Sequence, residues 1–381
     1  MVTSPIHSIP PNKGAAVEWW MYQVCKRLTQ YEPHIISICE ENEPELEEQS
    51  GVTIHRIRFG RIYKRMFQKI TRLDPLSYAV RAHRIISELG ADIVHVHNAP
   101  PLFLKLNALG KSNTEQYVLH MHNEKQFPKV NDSVQLFVVS KYLENFYRQI
   151  LPKAHIQVIP NGVDINVMQP KWNVKSAPNY KDLSTRIPRE NKVILYAGRI
   201  SPEKGVLRLV KAFAELRKQR QDVFLLLAGE FAKRKNNDRT IYGDLVRSEC
   251  ENMHNCCEML GTVPPGEMQN IYHYADLVVV PSEFEEPFGM VAIEAMAAGV
   301  PVMAAKKGGL VEFIEDGKTG IFIRRLDDPV DFAKQLSEVF EDKQLLMEIS
   351  QNARRQVVGS YVWDVVAIRT ELAYAEATHS G

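Results

Sequence analysis

The chain has 381 residues, 24% of them charged and 45% hydrophobic, with 47 basic against 46 acidic side chains for a formal net charge of +1. That length exceeds what one ordinary core holds and predicts two domains; the composition excludes a disordered chain, and the neutral balance excludes a general pull toward nucleic acid or membrane. Five cysteines, an odd number without metal-ligand spacing, predict free thiols in a reduced cytosol; no apolar run reaches the ~20 residues of a membrane helix, and the opening MVTSPIHSIPPNKG has no signal pattern.

Only Met1-Val2-Thr3 precedes Ser4-Pro5, so the strand that opens a doubly wound domain is expected to be very short or partly missing. Gly14-Ala15-Ala16 then leads into VEWWMYQVCKRL, a helix whose small residues would let a ligand approach its unpaired N–H groups; a plain tight turn fits equally well. HIISIC (34–39) and VTIHRI (52–57) read as strands. Between them and the next strand, FGRIYKRMFQKITRL (59–73) carries Arg61, Lys64, Arg65, Lys69 and Arg72 with no acid, interleaved with apolar residues. As a helix it suits an anionic membrane surface, an acidic acceptor, or simple packing on the sheet. DIVHVH (92–97), YVLHMH (117–122), LFVVS (136–140) and IQVIP (156–160) complete the first strand series. His97-Asn98 and His122-Asn123 each end a strand. One such histidine is most often a structural hydrogen-bonder, but two in equivalent positions favour ligand contact. His95 and His120 are assigned to the opposite face of the sheet.

The aperiodic polar segment 170–191 predicts a linker between a first domain (1–169) and a second (192–360), with 361–381 a C-terminal helix able to pack back on the first. VILYAG (193–198), FLLLAG (224–229), CEMLG (257–261), LVVVPS (277–282), VPVMAA (300–305) and GIFI (320–323) form the second strand series. GVLRLVKAFAELRKQ and VDFAKQLSEVFEDKQLLMEIS read as helices among them. Such alternation predicts parallel sheets covered on both faces, hence two doubly wound α/β domains. Ligands of such sheets bind outside the carboxyl ends of the strands.

The strand-following loops of the second series are unusual. YAGRISPEKG sets Arg199 at a strand end and Lys204 before a helix, a fork and a point charge able to clamp a diphosphate; alone, both also read as surface cations. Thr262-Val263, after a strand, offers backbone polar groups beside an apolar side chain to border a flat base. EFEEPFGMVAIEAMAAGVPV (283–302) predicts a helix from Met290 to Gly299, with Pro301 blocking continuation. Glu286 then lies in the loop before it and Glu294 in its first turns. The amides of Gly289, Met290 and Val291 are free for phosphate. Glu294 could accept from vicinal ribose hydroxyls, with Glu286 one sugar ring further out. EDGKTG (315–320) ends like a phosphate-binding loop, but Glu312 stands where its first glycine is required, so it reads as a turn. No Asp-x-Asp pair occurs, so no carboxylate clamp for a metal–nucleotide is expected.

Together, KGAAVEWW, ADIVHVHNAP, VLHMHNE, FVVSKYLENF, VIPNGVD, YAGRISPEKG, EEPFGMVAIEAMAAGVPV and GGLVEFIEDGKTG span most of the chain. They resemble the retaining glycosyltransferases of glycosyltransferase family 4, relatives of sucrose synthase and of bacterial lipopolysaccharide and lipid glycosyltransferases. The resemblance implies a GT-B fold, two doubly wound Rossmann-like domains facing across a cleft. It implies that Gly14 faces the donor phosphates, that Arg199 and Lys204 hold the diphosphate, and that Glu294 holds the ribose. Glu286 would then stand beside the transferred sugar and His122 near the reaction centre. Val263, Phe288, Gly289, Met290 and Val291 would complete the donor site, and Asn161-Gly162-Val163-Asp164 would form a structural turn near the hinge. Ala15, where the family has a second glycine, and the curtailed first strand depart from the pattern.

The implied activity is retaining transfer of a hexosyl unit from a nucleotide-diphosphate sugar to a glycan or lipid-linked acceptor, in polysaccharide or lipopolysaccharide biosynthesis. UDP is the first choice of nucleotide and GDP-mannose the next. Neither cofactor nor obligatory metal is expected, nor a nucleic-acid partner. The implied place is the cytoplasm, with peripheral contact through 59–73 to the inner face of the membrane. A catalytically silent sugar-nucleotide-binding or scaffold protein and a nucleotide-sugar epimerase of the same fold are the alternatives.

Overall fold

The computed structural model describes residues 1–11, 16–40, 42–58, 77–110, 115–126, 133–173, 180–231, 238–253 and 255–379. Gly14 and the basic segment 59–73 lie outside the described residues. The chain forms two compact units, Met1–Gly162 with Trp363–Gly381, and Val163–Val362.

The strands of the first unit are β1 (His34–Ile38), β2 (Leu46–Gln49), β3 (Val52–Ile57), β4 (Ile93–His97), β5 (Gln116–Met121), β6 (Gln135–Val138) and β7 (His155–Val158). β1, β3 and β2 are neighbours in that order, as are β4, β5, β6 and β7. All pairings are parallel except that of β2 with β3. The short opening segment joins the two groups. Val2 N–H donates to His95 O (2.8 Å) and Val2 O accepts from His97 N–H (3.1 Å), while Ile36 N–H donates to Met1 O (2.9 Å) and Thr3 N–H to Ile36 O (3.1 Å). Three residues thus act as the central strand from which the sheet grows both ways. β2, LEEQ, has a single apolar side chain and no buried position, which is why hydrophobic pattern does not reveal it.

Helix Ala16–Cys25 and helix Trp363–His379 share one core with Ile35, Val118 and Phe137. At Gly162 a β-carbon would come within 2.6 Å of the Trp363 ring, so the glycine lets the C-terminal helix seat closely.

The second unit holds β8 (Lys192–Ala197), β9 (Val223–Ala228), β10 (Cys257–Gly261), β11 (Leu277–Val280), β12 (Val302–Ala304) and β13 (Ile321–Phe322). Their order is β10-β9-β8-β11-β12-β13, every pair parallel. All six residues of β9, VFLLLA, are buried, as a strand covered on both faces requires. The segment 170–191, expected as a linker, is pinned to this unit where it is described. Lys171 N–H donates to Ala298 O (2.9 Å), and its ammonium reaches Ala275 O (2.8 Å) and Asp276 (3.2 Å). The single helix expected over 330–350 is two, Pro329–Glu341 and Lys343–Ser360. Asp342 breaks it by capping the second, accepting from Leu345 N–H at 2.9 Å.

Candidate functional site

In the second unit the chain winds one way from β8 through β9 to β10, and the other way from β11 through β12 to β13. The crevice at the carboxyl ends of β8 and β11 is therefore the topological switch point, where such sheets bind ligands. Two loops meet there. In the loop after β8, Tyr196 Oη–H donates to Arg199 O at 2.6 Å and fixes the turn. Gly205 has φ +67°, and a β-carbon on it would stand 1.8 Å from Pro281 O. Only glycine lets this loop lie directly on the one that follows β11.

That contact brings Lys204 onto Glu286. The ammonium donates to Glu286 Oε1 at 2.7 Å, and Ser282 Oγ–H donates to the same oxygen at 2.5 Å. The lysine also stands 4.6 Å from the centre of the Phe284 ring. Glu286 is buried, with 6% of its surface exposed, so its charge requires this pairing. Its Oε2 takes no hydrogen bond from the described residues and is left for a further donor.

The Glu286 loop is clamped from behind. Glu285 pairs with Lys307 (3.1 Å) and accepts from Gly308 N–H (2.5 Å), while Gly309 N–H donates to Glu286 O (2.7 Å). The Phe288 ring, expected among the donor-binding groups, points inward and packs against Phe313 and Tyr361, centroids 5.5 and 5.9 Å away. It holds the turn. Gly289, at φ +106°, opens helix Met290–Ala297 without any side-chain cap. The amides of Gly289, Met290 and Val291 meet no acceptor among the described residues, so this end presents unpaired donors and a partial positive charge.

Glu294, one turn in, is half-buried, and its Oε2 accepts from Tyr272 Oη–H at 2.7 Å. Burial pushes the Glu294 carboxyl up to about 7, with the tyrosine bond pulling the other way. Val263 is half-buried, two residues beyond the end of β10. Arg199 is exposed and pairs with no carboxylate among the described residues. The second unit thus gathers Lys204, Glu286 and the uncapped helix end at one switch point, with Arg199 in the same loop as Lys204.

His122 belongs to the first unit, whose histidines depart from expectation. Side chains two apart on a strand share a face, so His95 lies with His97 and His120 with His122. All four rings surround Trp20, with centroids 5.9, 5.0, 4.7 and 6.0 Å from it for His95, His97, His120 and His122. His97 Nδ1 and His122 Nε2 are 3.2 Å apart, and His95 Nδ1 lies 2.6 Å from Tyr374 Oη. Burial holds all four well below the ordinary histidine value; His122 falls to about 3, burial first and Lys125 second, with Asn161 opposing. They are neutral rings.

Nitrogens of His95, His97 and His120 lie within 4.8 Å of one another. The rings stack, His95 on His97 at 4.1 Å and 30° and His95 beside His120 at 5.2 Å and 9°. Lone pairs in near-parallel planes do not converge on one ion at ~2.1 Å, so this group does not fit a metal as it stands.

Sequence reading missed two residues of the second-unit site. Ser282 precedes Glu286 by four within the PSEFEE turn, a local signal that was there to read. Tyr272 precedes Glu294 by 22 residues, and only the fold brings them together.

Comparison with known proteins gives consistent matches. Residues 181–356 match the family described as glycosyl transferases group 1, and residues 17–167 match glycosyltransferase family 4. The chain is 36% identical over 376 residues to a lipopolysaccharide 1,2-N-acetylglucosaminetransferase of Salmonella typhimurium, covering 97% of this chain and 95% of that protein. Its structure is similar to sucrose-phosphate synthase from Thermosynechococcus elongatus, with a TM-score of 0.80, 20% identity and coverage of 100% and 99%. It is also similar to HepE of Anabaena in complex with UDP-glucose, with a TM-score of 0.75, 18% identity and 98% of each chain covered. No helix among the described residues is long and apolar enough to cross a membrane.

Proposed function

The chain belongs to the group 1 glycosyltransferases of family 4 and has their GT-B fold, and from that premise we propose a retaining transfer of a hexosyl unit from a UDP-sugar to a glycan acceptor. The observation that carries the reading is Lys204 on Glu286 beside the uncapped start of helix Met290–Ala297.

Each part has a task set by its chemistry. The amides of Gly289, Met290 and Val291 receive phosphate oxygens. An ammonium has three donors, so Lys204 can keep Glu286 and still reach the diphosphate, while Arg199 adds a fork. Glu294 takes the ribose hydroxyls, backbone at Val263 borders the base, and Glu286 Oε2 takes a hydroxyl of the sugar. His122, a neutral ring, offers a hydrogen bond rather than a charge.

The acceptor hydroxyl attacks the anomeric carbon from the face that the diphosphate leaves. The bond from that carbon to the phosphate oxygen breaks as the bond to the acceptor oxygen forms, and the acceptor's proton passes to the departing phosphate. The negative charge growing on the diphosphate meets two fixed cations, so stabilisation is electrostatic and no enzymic nucleophile or metal ion is assigned a step.

UDP is favoured because HepE is seen with UDP-glucose, and N-acetylglucosamine is favoured as the sugar by the Salmonella relative. That relative also makes a lipopolysaccharide glycan the first acceptor to try, met at the cytoplasmic face of the membrane with the basic segment 59–73 against anionic lipid. The test is a calorimetric titration with UDP, GDP and ADP, then transfer from UDP-sugars to a lipopolysaccharide core acceptor. UDP should bind most tightly. Glu286→Ala should keep UDP binding and lose about 10²–10³-fold in turnover. Absence of any nucleotide binding, or unchanged turnover in Glu286→Ala, would overturn the reading; sugar epimerisation without acceptor would mark an epimerase instead.

A further inference from the structure

We infer that Tyr272 is a positioning residue for the nucleotide, acting through Glu294 rather than by touching the ligand; the inference rests on Glu294 being the ribose acceptor. Tyr272 lies in helix Met268–Tyr274 and is fully buried. Its hydroxyl donates to Glu294 Oε2 at 2.7 Å. A glutamate side chain has three rotatable bonds, and a carboxylate that must meet two vicinal hydroxyls needs both orientation and full charge. The tyrosine supplies both. Its bond fixes one oxygen and leaves Oε1, which accepts from no described residue, for a further donor.

The electrostatics agree. Burial alone raises the Glu294 carboxyl, and the Tyr272 bond is the one effect that lowers it. Tyr272 itself is held well above its ordinary value by burial and by Glu294, so it remains a donor throughout the working range. No other titratable group among the described residues acts on Glu294, whether from β11, β12 or helix Lys343–Ser360, which pack against its helix. Without the hydroxyl, the carboxyl would stay protonated to higher pH, and a protonated carboxyl cannot accept on both oxygens equally.

The experiment compares each nucleoside diphosphate with its 2′-deoxy counterpart, so that any general loosening of the site cancels in the ratio of Kd values. The pair used is the best binder among UDP, GDP and ADP. At pH 8 the wild type should favour the ribonucleotide by about tenfold or more, the range of one hydrogen bond to a charged group. Tyr272→Phe, which keeps the ring and its packing, should cut that preference to within about threefold while deoxynucleotide affinity stays as it was. On lowering the pH through 7 the wild-type preference should fade, and in Tyr272→Phe what remains should fade at a higher pH.

Glu294→Gln separates the two possible failures. If it keeps the full ribose preference, or if no nucleotide binds the wild type, the ribose reading of Glu294 falls and this inference falls with it. If Glu294→Gln loses the preference while Tyr272→Phe keeps it, Tyr272 is only packing and the inference alone is wrong. Equal weakening of both nucleotides in Tyr272→Phe would also be the mark of a structural role.

Discussion

The two units solve the burial of polar groups in opposite ways. In the first, four imidazoles around Trp20 are stripped of charge, and none of them meets an acid among the described residues. In the second, Glu286 keeps a cation and a hydroxyl at its side, while Glu294, with only a hydroxyl, is pushed toward neutrality. A neutral ring offers directional hydrogen bonds without long-range pull; a paired charge and a row of bare amides attract an anion. The contrast is between a cluster of uncharged hydrogen-bonding rings and a site built to draw an anion.

It also sets opposite responses to acid. The histidines have folded values depressed below 6.5. The unfolded chain therefore takes up protons first, and stability is lost as pH falls below about 6.5. Four such rings cost roughly 5 kcal/mol per pH unit once the unfolded rings are protonated. Glu294 is raised from 4.5 to about 7, so its penalty is complete above pH 7 and is relieved as pH falls toward 4.5. Hydrogen exchange followed by mass spectrometry, corrected for intrinsic rates, should show β4 and β5 losing protection between pH 6.5 and 5 while β8 and β11 keep theirs. Earlier opening of β8 and β11 would break the comparison.

The next largest effect is expected at the paired charge. Lys204→Met leaves Glu286 buried with Ser282 alone, and should cost about 3 kcal/mol in chemical denaturation. The double variant Lys204→Met, Glu286→Leu should recover most of that loss while nucleotide binding stays poor. A single variant as stable as wild type would show that the pair is not needed for the burial of Glu286.

Smaller again is the effect of removing the Glu294 charge. At pH 8, Glu294→Gln should stabilise the ligand-free protein, by up to about 3 kcal/mol, because the penalty of a buried carboxylate disappears. At pH 5 most of that difference should be gone. The site would then carry instability in exchange for ribose binding, a common arrangement at functional positions. Equal melting temperatures at pH 8 would contradict it.

What the sequence disclosed follows the range of the forces involved. Buried strands such as VFLLLA and the alternation of strands with helices are local patterns, and they were legible. That Arg199, Lys204 and Glu286 stand in loops after strands, and Glu294 in the helix that follows, was legible too, because the strand and turn signals around them are local. Three things were not. β2 has too little apolar surface to register, and the histidine faces were misassigned although the two-residue period of a strand decides them. The pairing of Lys204 with Glu286, 82 residues away, and of Tyr272 with Glu294 exists only once β8, β11 and the helices are packed. Sequence shows which groups are present; the fold shows that one lysine is engaged and one arginine is free.

That last difference yields the smallest effect on stability and the cleanest reading of function. Arg199 is exposed and pairs with no carboxylate among the described residues, and its loop is held by its own backbone carbonyl through Tyr196. Truncating the side chain removes nothing the fold uses, so Arg199→Ala should unfold within about 0.5 kcal/mol of wild type. A guanidinium held ready without a partner is nonetheless well suited to a phosphate, and its loss should weaken UDP binding by roughly 10–100-fold, the worth of one or two charge-assisted hydrogen bonds. Arg199→Lys should restore only part of this, since an ammonium cannot present two parallel donors. Calorimetry and denaturation on the same samples separate the quantities. A stability loss above about 1 kcal/mol would mean that Arg199 has a structural partner after all, and undiminished UDP affinity would remove it from the diphosphate.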